Sequence, residues 1–431
     1  MPAPNLWHDV RTNLVEIFVS AIGWLLLAPL AALPPKRRDW IAVIGRESGA
    51  FVDNTKYFYI DAVTDETNGL RVVHITESRE VAKAIAGEGG EAQVYPSLRT
   101  AWFLMRCGTA VVDSVEWYKR ARRFLLVRAR LVQLWHGVGF KRIELDKWRN
   151  EADGKKFLSG KWILRLRMIR RYLYGRSPMY DAVATTSAFY RDNVFSTAFR
   201  SRHFPVTGYS RNAFANKHPL AWINVDAGIR DKLVTWAGSG RKPIFLAPTF
   251  RDSRATPLGL DDGKLATLDE FCDEHGFEFV FKFHPYERGA SRIDGRHLHV
   301  ADPRSDAYPL LPSMHALVTD YSSIYMDFLL LDRPVMFLTP DLEQYVSSDR
   351  GIQFDFESMT PGPKFRTWDE LLAGLLQPEP REWRNRRHQL ASLAFDDLPQ
   401  DEATDRLLRF FAEQGWIESP IHEQDSKART S

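Results

Sequence analysis

Val318-Thr319-Asp320-Tyr321-Ser322-Ser323-Ile324-Tyr325-Met326-Asp327-Phe328 carries an apolar strand through a short polar turn into a helix-forming run. Strand, turn and helix in that order are the repeating unit of α/β domains. Ser322 or Ser323 can cap the helix, and free N–H groups at a helix start bind anions without needing a cation. The same step recurs along the chain. Candidate strands are Trp40–Gly45, Arg71–Ile75, Ala110–Asp113, Leu131–Trp135, Ala182–Thr186 and His203–Thr207, then Pro243–Ala247, Phe277–Phe283, Ala316–Thr319 and Pro334–Leu338. Near-continuous apolar strands separated by helix-length segments predict parallel sheets covered on both faces. The break around Gly208–Gly240 predicts two doubly wound domains, with a cleft between the carboxyl ends of their strands.

Length and composition agree with that reading. The 431 residues suit two domains, and 44% hydrophobic with 26% charged residues is a globular balance that excludes collagen-like, disordered and low-complexity architectures. Cys107 and Cys272 stand far apart, with no CxxC and no Cys/His cluster, so a disulfide scaffold and a structural zinc site are both disfavoured. The expected organisation is an apolar and basic membrane-associating segment over 1–38, a first doubly wound domain over 39–212, a second over 213–395, and a C-terminal helix with a polar tail over 396–431.

Net charge is only +3, but it is segregated: residues 119–176 hold 18 Lys/Arg against 4 acids. Such a belt points to an anionic partner such as nucleic acid, anionic lipid or a phosphorylated substrate. Within it, Trp162, Leu166, Ile169 and Leu173 form a helical apolar stripe flanked by Arg165, Arg167, Arg170 and Arg171. That pattern suits the headgroup layer of an anionic membrane. Leu14–Leu33 is a second lipid-facing candidate, twenty residues with one charge (Glu16) and one proline (Pro29). It reads as an interfacial helix, a single span or a core helix, and Lys36-Arg37-Arg38 behind it points the next domain to the cytoplasmic side if the segment inserts. Only Arg11 precedes the apolar run among basic residues, which argues against a cleaved signal peptide.

Four further segments follow predicted strands, where an α/β fold displays functional groups. Leu134-Trp135-His136-Gly137-Val138-Gly139-Phe140-Lys141 presents a histidine able to accept a proton near neutrality. Ala247-Pro248-Thr249-Phe250-Arg251 offers an arginine for bidentate phosphate contact. Phe281-Lys282-Phe283-His284-Pro285 places Lys282 and His284 on one face in period-2 geometry. Thr207-Gly208-Tyr209-Ser210-Arg211-Asn212 lies at the expected hinge. No GxxxxGK[ST], GxGxxG or HExxH occurs in the right context, which disfavours P-loop kinases, dinucleotide enzymes and zincins.

In order and approximate spacing, LWHG, TGYSRN, APTFR, KFHP and TDYSSIYMDF followed by DRPVMFL resemble the CDP-glycerol glycerophosphotransferase family. Asp53-Asn54-Thr55-Lys56-Tyr57 resembles its early DNSKY-type motif, and Asp349-Arg350-Gly351 its late RG element. The resemblance spans about Trp40 to Gly362. It implies a GT-B fold of two Rossmann-like domains and association with the cytoplasmic face of the membrane. It also implies transfer of glycerol phosphate or a similar polyol phosphate from a CDP-polyol donor to a lipid-linked or oligosaccharide acceptor. The product would be a teichoic acid-like or capsule polymer of a bacterial envelope. On this resemblance His136 is the general base and His284 a catalytic contact to donor phosphate. Arg251, Lys282, Thr319, Ser322 and Ser323 hold the donor phosphates, and Gly137, Arg211 and Asp327 support them. Val138-Gly139-Phe140 depart from the family's TPL, and Ser210 and Ala213 from its GYPRND. No obligatory cofactor is implied, and a divalent cation held by donor phosphates alone would leave no trace in the sequence. A nucleotide-sugar glycosyltransferase would reuse the same cleft. A non-enzymatic membrane or nucleic-acid binder would use only the basic belt, which no nucleic-acid-binding motif accompanies.

Overall fold

In this computed structural model the described residues are 18–147, 178–215, 218–249, 260–284, 293–343, 345 and 351–418. They build two parallel sheets. The first contains β1 (Arg37–Ile44), β2 (Arg71–Thr76), β3 (Ala92–Val94), β4 (Cys107–Val112), β5 (Arg130–Gln133), β6 (Met179–Val183) and β7 (Arg200–His203), in spatial order β3-β2-β1-β4-β5-β6-β7. The second contains β8 (Lys242–Ala247), β9 (Phe277–Phe281), β10 (Leu298–Val300), β11 (Ala316–Thr319), β12 (Val335–Leu338) and β13 (Lys364–Phe365), in order β10-β9-β8-β11-β12-β13. Both repeat the doubly wound order, in which the chain reverses direction across the sheet after its third strand. The reversals open crevices beyond the carboxyl ends of β1 and β4 in one sheet and of β8 and β11 in the other.

Burial explains why these segments are strands. All five residues of β9 and all four of β11 and β12 are buried, as a sheet covered on both faces requires. The C-terminal helix Ala403–Glu413 crosses back to the first domain, where Leu407 and Phe411 pack in one cluster with Ile41, Phe58 and Val132.

Of the N-terminal apolar run Leu14–Leu33, residues 14–17 lie outside the described residues. Its described part is helical over 18–32, with a π-helical turn at Gly23–Leu27 continuing as Ala28–Ala32, and no helix among the described residues is long and apolar enough to cross a membrane. Small residues face the protein: Gly23 lies so close to the Phe124 ring that a Cβ there would overlap it, and Ala28 and Ala31 are buried. Arg123 Nη2 donates to Ser20 Oγ at 2.6 Å, and Trp24 meets Phe124 edge-to-face. The large residues point outward instead, with Leu25 74% and Leu33 76% exposed. The second lipid-facing candidate, including Trp162, Arg165, Arg167, Arg170 and Arg171, lies outside the described residues.

Candidate active site between the two sheets

His136 follows β5 at the carboxyl edge of the first sheet. Trp135 before it takes left-handed backbone (φ 57°), which turns the chain sharply out of the strand. The turn is held at both peptide groups: Trp135 N donates to Gln133 Oε1 (2.9 Å), and Asn54 Nδ2 donates to Trp135 O (3.0 Å). The imidazole lies against the Trp135 ring, and its Nδ1 is 3.0 Å from the backbone carbonyl of Asp113. A carbonyl only accepts, so Nδ1 carries the proton and Nε2 keeps its lone pair. Burial, and then the Arg46 charge, depress the ring to about 4, so it is neutral at working pH. The arrangement yields a neutral, oriented proton acceptor.

The loop after His136 reaches the other domain. Gly137 has φ 145°, and a Cβ there would stand 3.1 Å from Ser323 Oγ and 3.3 Å from Arg211 Nη2. Further on, Lys141 forms an antiparallel bridge with Ile352, and Arg142 N donates to Gly351 O at 3.0 Å. His136, Gly137, Lys141, Tyr321 and Ser323 therefore line one cavity of about 120 Å³ between the sheets. Ser323 stands at the N-cap of Ile324–Phe328 but makes no capping bond, which leaves its hydroxyl available on the cavity wall.

Arg211 and Asp327 are brought together as an interdomain brace. Arg211 Nη1 donates to Asp53 Oδ1 (2.5 Å) and to His136 O (3.0 Å), while Nη2 donates to Asp327 Oδ2 (2.7 Å). The three side chains are 1–3% exposed. A second brace lies beside it. Lys56 Nζ donates to Asp306 Oδ2 at 2.8 Å and to the carbonyls of Ala221 and Ile223, and the Tyr57 hydroxyl donates to the same Asp306 oxygen.

Two expected phosphate ligands are engaged elsewhere. The Thr319 hydroxyl is buried and donates to Ala247 O at 2.7 Å, tying β11 to β8. Lys282 Nζ donates to Asp302 O (2.5 Å) and Ser305 O (2.7 Å), which makes it a staple for that loop; burial lowers its pKa to about 8. Asp320 links the two segments expected at the C-terminal crevice, accepting from Thr249 N at 2.7 Å and from Tyr321 N at 2.5 Å. His284 is exposed just beyond β9, Ser322 is half-buried beside Ser323, and Arg251 lies outside the described residues.

A family model described as CDP-Glycerol:Poly(glycerophosphate) glycerophosphotransferase matches residues 26–412. The chain belongs to this family. It is 27% identical over 257 residues to the teichoic acid poly(glycerol phosphate) polymerase of Bacillus subtilis (strain 168), an alignment covering 57% of this chain and 32% of the relative. To the teichoic acid glycerol-phosphate transferase of Staphylococcus aureus (strain NCTC 8325 / PS 47) it is 29% identical over 269 residues, 58% of this chain and 62% of that one. The chain thus spans about a third to under two-thirds of the length of these relatives. Among solved structures, a variant of the wall teichoic acid polymerase TagF soaked with CDPG superposes with a TM-score of 0.66 at 17% identity, covering 94% of this chain and 98% of that one. At that identity the likeness establishes a shared fold of two parallel-sheet domains.

In this glycerophosphotransferase-family chain, sequence reasoning passed over Arg46 and Asp113 and assigned no role to Asp53 or Asn54. Arg46 lies two residues past β1 and Asp113 directly after β4, the two strands flanking the first crevice. The ends of the expected strands were a usable signal, since Arg46 follows Trp40–Gly45 and Asp113 closes Ala110–Asp113.

Proposed function

We infer that the chain transfers a polyol phosphate from a CDP-activated donor to an acceptor hydroxyl, releasing CMP, in the synthesis of a cell-surface polymer. The observation that carries this reading is the meeting of His136 and Ser323 across one cavity, each in the state the chemistry needs. The acceptor oxygen attacks the β-phosphorus while its proton passes to His136 Nε2. The bond from that phosphorus to the oxygen bridging to CMP breaks, and CMP leaves. Ser322, Ser323, His284 and Arg251 receive the donor phosphates on the second domain, where charge developing on the phosphoryl group has to be met. A divalent cation carried in on the donor's phosphates is compatible with these residues and not required by them. The relatives' names and the CDPG soak of TagF support a donor of this class, and the two sheets fit a GT-B arrangement. Purified protein incubated with CDP-glycerol, and separately with CDP-ribitol, plus a lipid-extract acceptor should release CMP with one of them. Absence of CMP from both, with sugar transfer from a nucleotide sugar, would replace this reading by the glycosyltransferase one.

In the same proposal the enzyme sits on the cytoplasmic face of the membrane, where a lipid-linked acceptor is reached. The outward apolar face of the N-terminal helix supports this, because a helix that packs through Gly23, Ala28 and Ala31 and exposes Trp24, Leu25, Leu26 and Leu30 is built to bury its large side chains in something else. Arg123 and Arg128 hold it from behind, and Arg128 Nη1 donates to Ala32 O at 2.6 Å. Each leucine inserted contributes about 1.5–3 kcal/mol. Leu25→Ser combined with Leu26→Ser should therefore weaken cosedimentation with phosphatidylglycerol vesicles at least tenfold without changing the fold. Undiminished cosedimentation would remove this face from the proposal.

A further inference from the structure

The first-domain crevice holds a cation, Arg46, to which the mechanism above gives no contact with donor or acceptor. Arg46 stands two residues past the end of β1, and Asp113 directly follows β4, so both stand at the point where the strand order reverses, the position at which doubly wound sheets bind ligands. The backbone there is forced into an uncommon shape: Glu47, Ser48 and Gly49 are successively left-handed, with φ 50°, 65° and 82°. The turn is locked by Glu77 N donating to Ser48 O (2.8 Å), by the His74 ring on Gly49 O (3.0 Å), and by contact so close that a Cβ on Gly49 would fall 2.4 Å from Ile75 O. Strain of this kind persists where the surrounding structure over-determines it, and it concentrates at ligand sites.

Of the three buried-cluster cations, Arg211 and Lys56 are spent on carboxylates and carbonyls and are 2% and 0% exposed. Arg46 is 38% exposed, meets one edge of Asp53 (Nη2 to Oδ2, 3.3 Å) with Asp113 and Glu47 also nearby, and its buried Nε has no hydrogen-bond partner among the described residues. Asp53 is already satisfied by Arg211, which in turn holds the His136 carbonyl. Arg46 thus shares Asp53 with Arg211, the residue that holds the His136 carbonyl, and stands at the crevice end of the first sheet, on the domain opposite the donor crevice.

We propose that Arg46 binds the phosphodiester of the acceptor chain and so sets the terminal hydroxyl against His136. The inference rests on the polyol-phosphate reading above: in a poly(glycerol phosphate) chain the last phosphodiester lies three carbons from the terminal hydroxyl, so one anionic group always accompanies the nucleophile at a fixed reach. A planar guanidinium suits that group better than an ammonium, because it offers paired donors.

The test is binding, which does not depend on turnover. A short synthetic glycerol phosphate oligomer is titrated calorimetrically into the full chain, beside the same oligomer with its last phosphodiester methylated to the neutral triester. Wild type should prefer the charged oligomer at least tenfold. Arg46→Gln should erase that preference while binding the triester as wild type does, and Arg46→Lys should restore part of it. Preference retained in Arg46→Gln, or no preference in wild type, overturns the proposal. Equal loss for both oligomers also overturns it, because it marks a structural role. A kinetic signature accompanies the binding one. The charged groups acting on His136 are Arg46, Asp53 and Arg211, with Asp113 beside them, so removing the Arg46 cation should move the acid limb of kcat/KM to higher pH; an unmoved limb counts against it. CMP release by wild type from CDP-glycerol tests the underlying reading separately, since its absence would leave the oligomer result standing.

Discussion

His136→Ala should slow acceptor-dependent CMP release by about 10²–10⁴-fold, the usual contribution of a positioned general base. In barrier terms that is about 3–5.5 kcal/mol. The loss should fall on kcat rather than on donor affinity, because the donor's contacts lie on the other domain. The fold should survive, since the ring's hydrogen bond goes to one backbone carbonyl, that of Asp113, which water can satisfy in its place. The pH profile gives an independent reading. Burial and Arg46 hold the imidazole at about 4, below the ordinary 6.5, so the base form persists as pH falls through the range where an exposed histidine would protonate. The acid limb of kcat/KM for the free enzyme should accordingly lie well below pH 6. Quenched assays of CMP by anion-exchange chromatography over pH 4.5–8.5 would show it. A variant losing less than tenfold would remove His136 from the chemistry.

Arg211→Met carries the largest expected stability effect, about 3–5 kcal/mol, because breaking a buried ion pair strands the partner charge. Here two carboxylates lose their main partner at once, Asp53 on the first domain, left with Arg46 at 3.3 Å, and Asp327 on the second, left with the Tyr308 hydroxyl. The pH dependence follows from their environments. In the wild type burial pushes Asp53 upward, but Arg211 and then Arg46 outweigh it and hold the carboxyl at about 2. Its favourable contribution is present above the unfolded value and is lost only as pH falls toward 2. Without Arg211 the desolvation effect is left with far less opposition and the folded carboxyls move up. A raised folded value means stability that is lost as pH increases, so the deficit of the variant should be larger at pH 8 than at pH 5. Urea denaturation followed by circular dichroism at the two pH values measures both terms. A deficit under 1 kcal/mol at pH 8 would show that the brace does not hold the domains.

How much of this was legible beforehand depended on whether the cause was local. The central strands β1, β8, β9 and β11 announce themselves as apolar runs because both their faces are covered. The edge strands β3, β10 and β13 are two or three residues long and were missed; β7, with the sequence Arg-Ser-Arg-His, was expected three residues later. An edge strand is defined by the neighbour it pairs with, not by a buried run of its own. His136, Gly137 and Ser323 were legible for a related reason: each follows a strand, and the ends of parallel strands are where such folds place chemistry.

The amino-acid sequence by itself determined the α/β class, the two-domain division of strands, the family and the histidine–glycine loop, since all of these are written in short-range pattern and order. Only the tertiary structure decided that Arg211 and Asp327 brace the domains, that Thr319 and Lys282 are hydrogen-bonded within the second domain, and that Arg46 is left partly exposed beside Asp53. The physical reason is separation along the chain. Asp53 and Arg211 are 158 positions apart, and Arg211 and Asp327 are 116 apart. Whether a charged side chain is a ligand or a brace depends on which opposite charge folding brings within about 3 Å of it, and no local pattern records that distance.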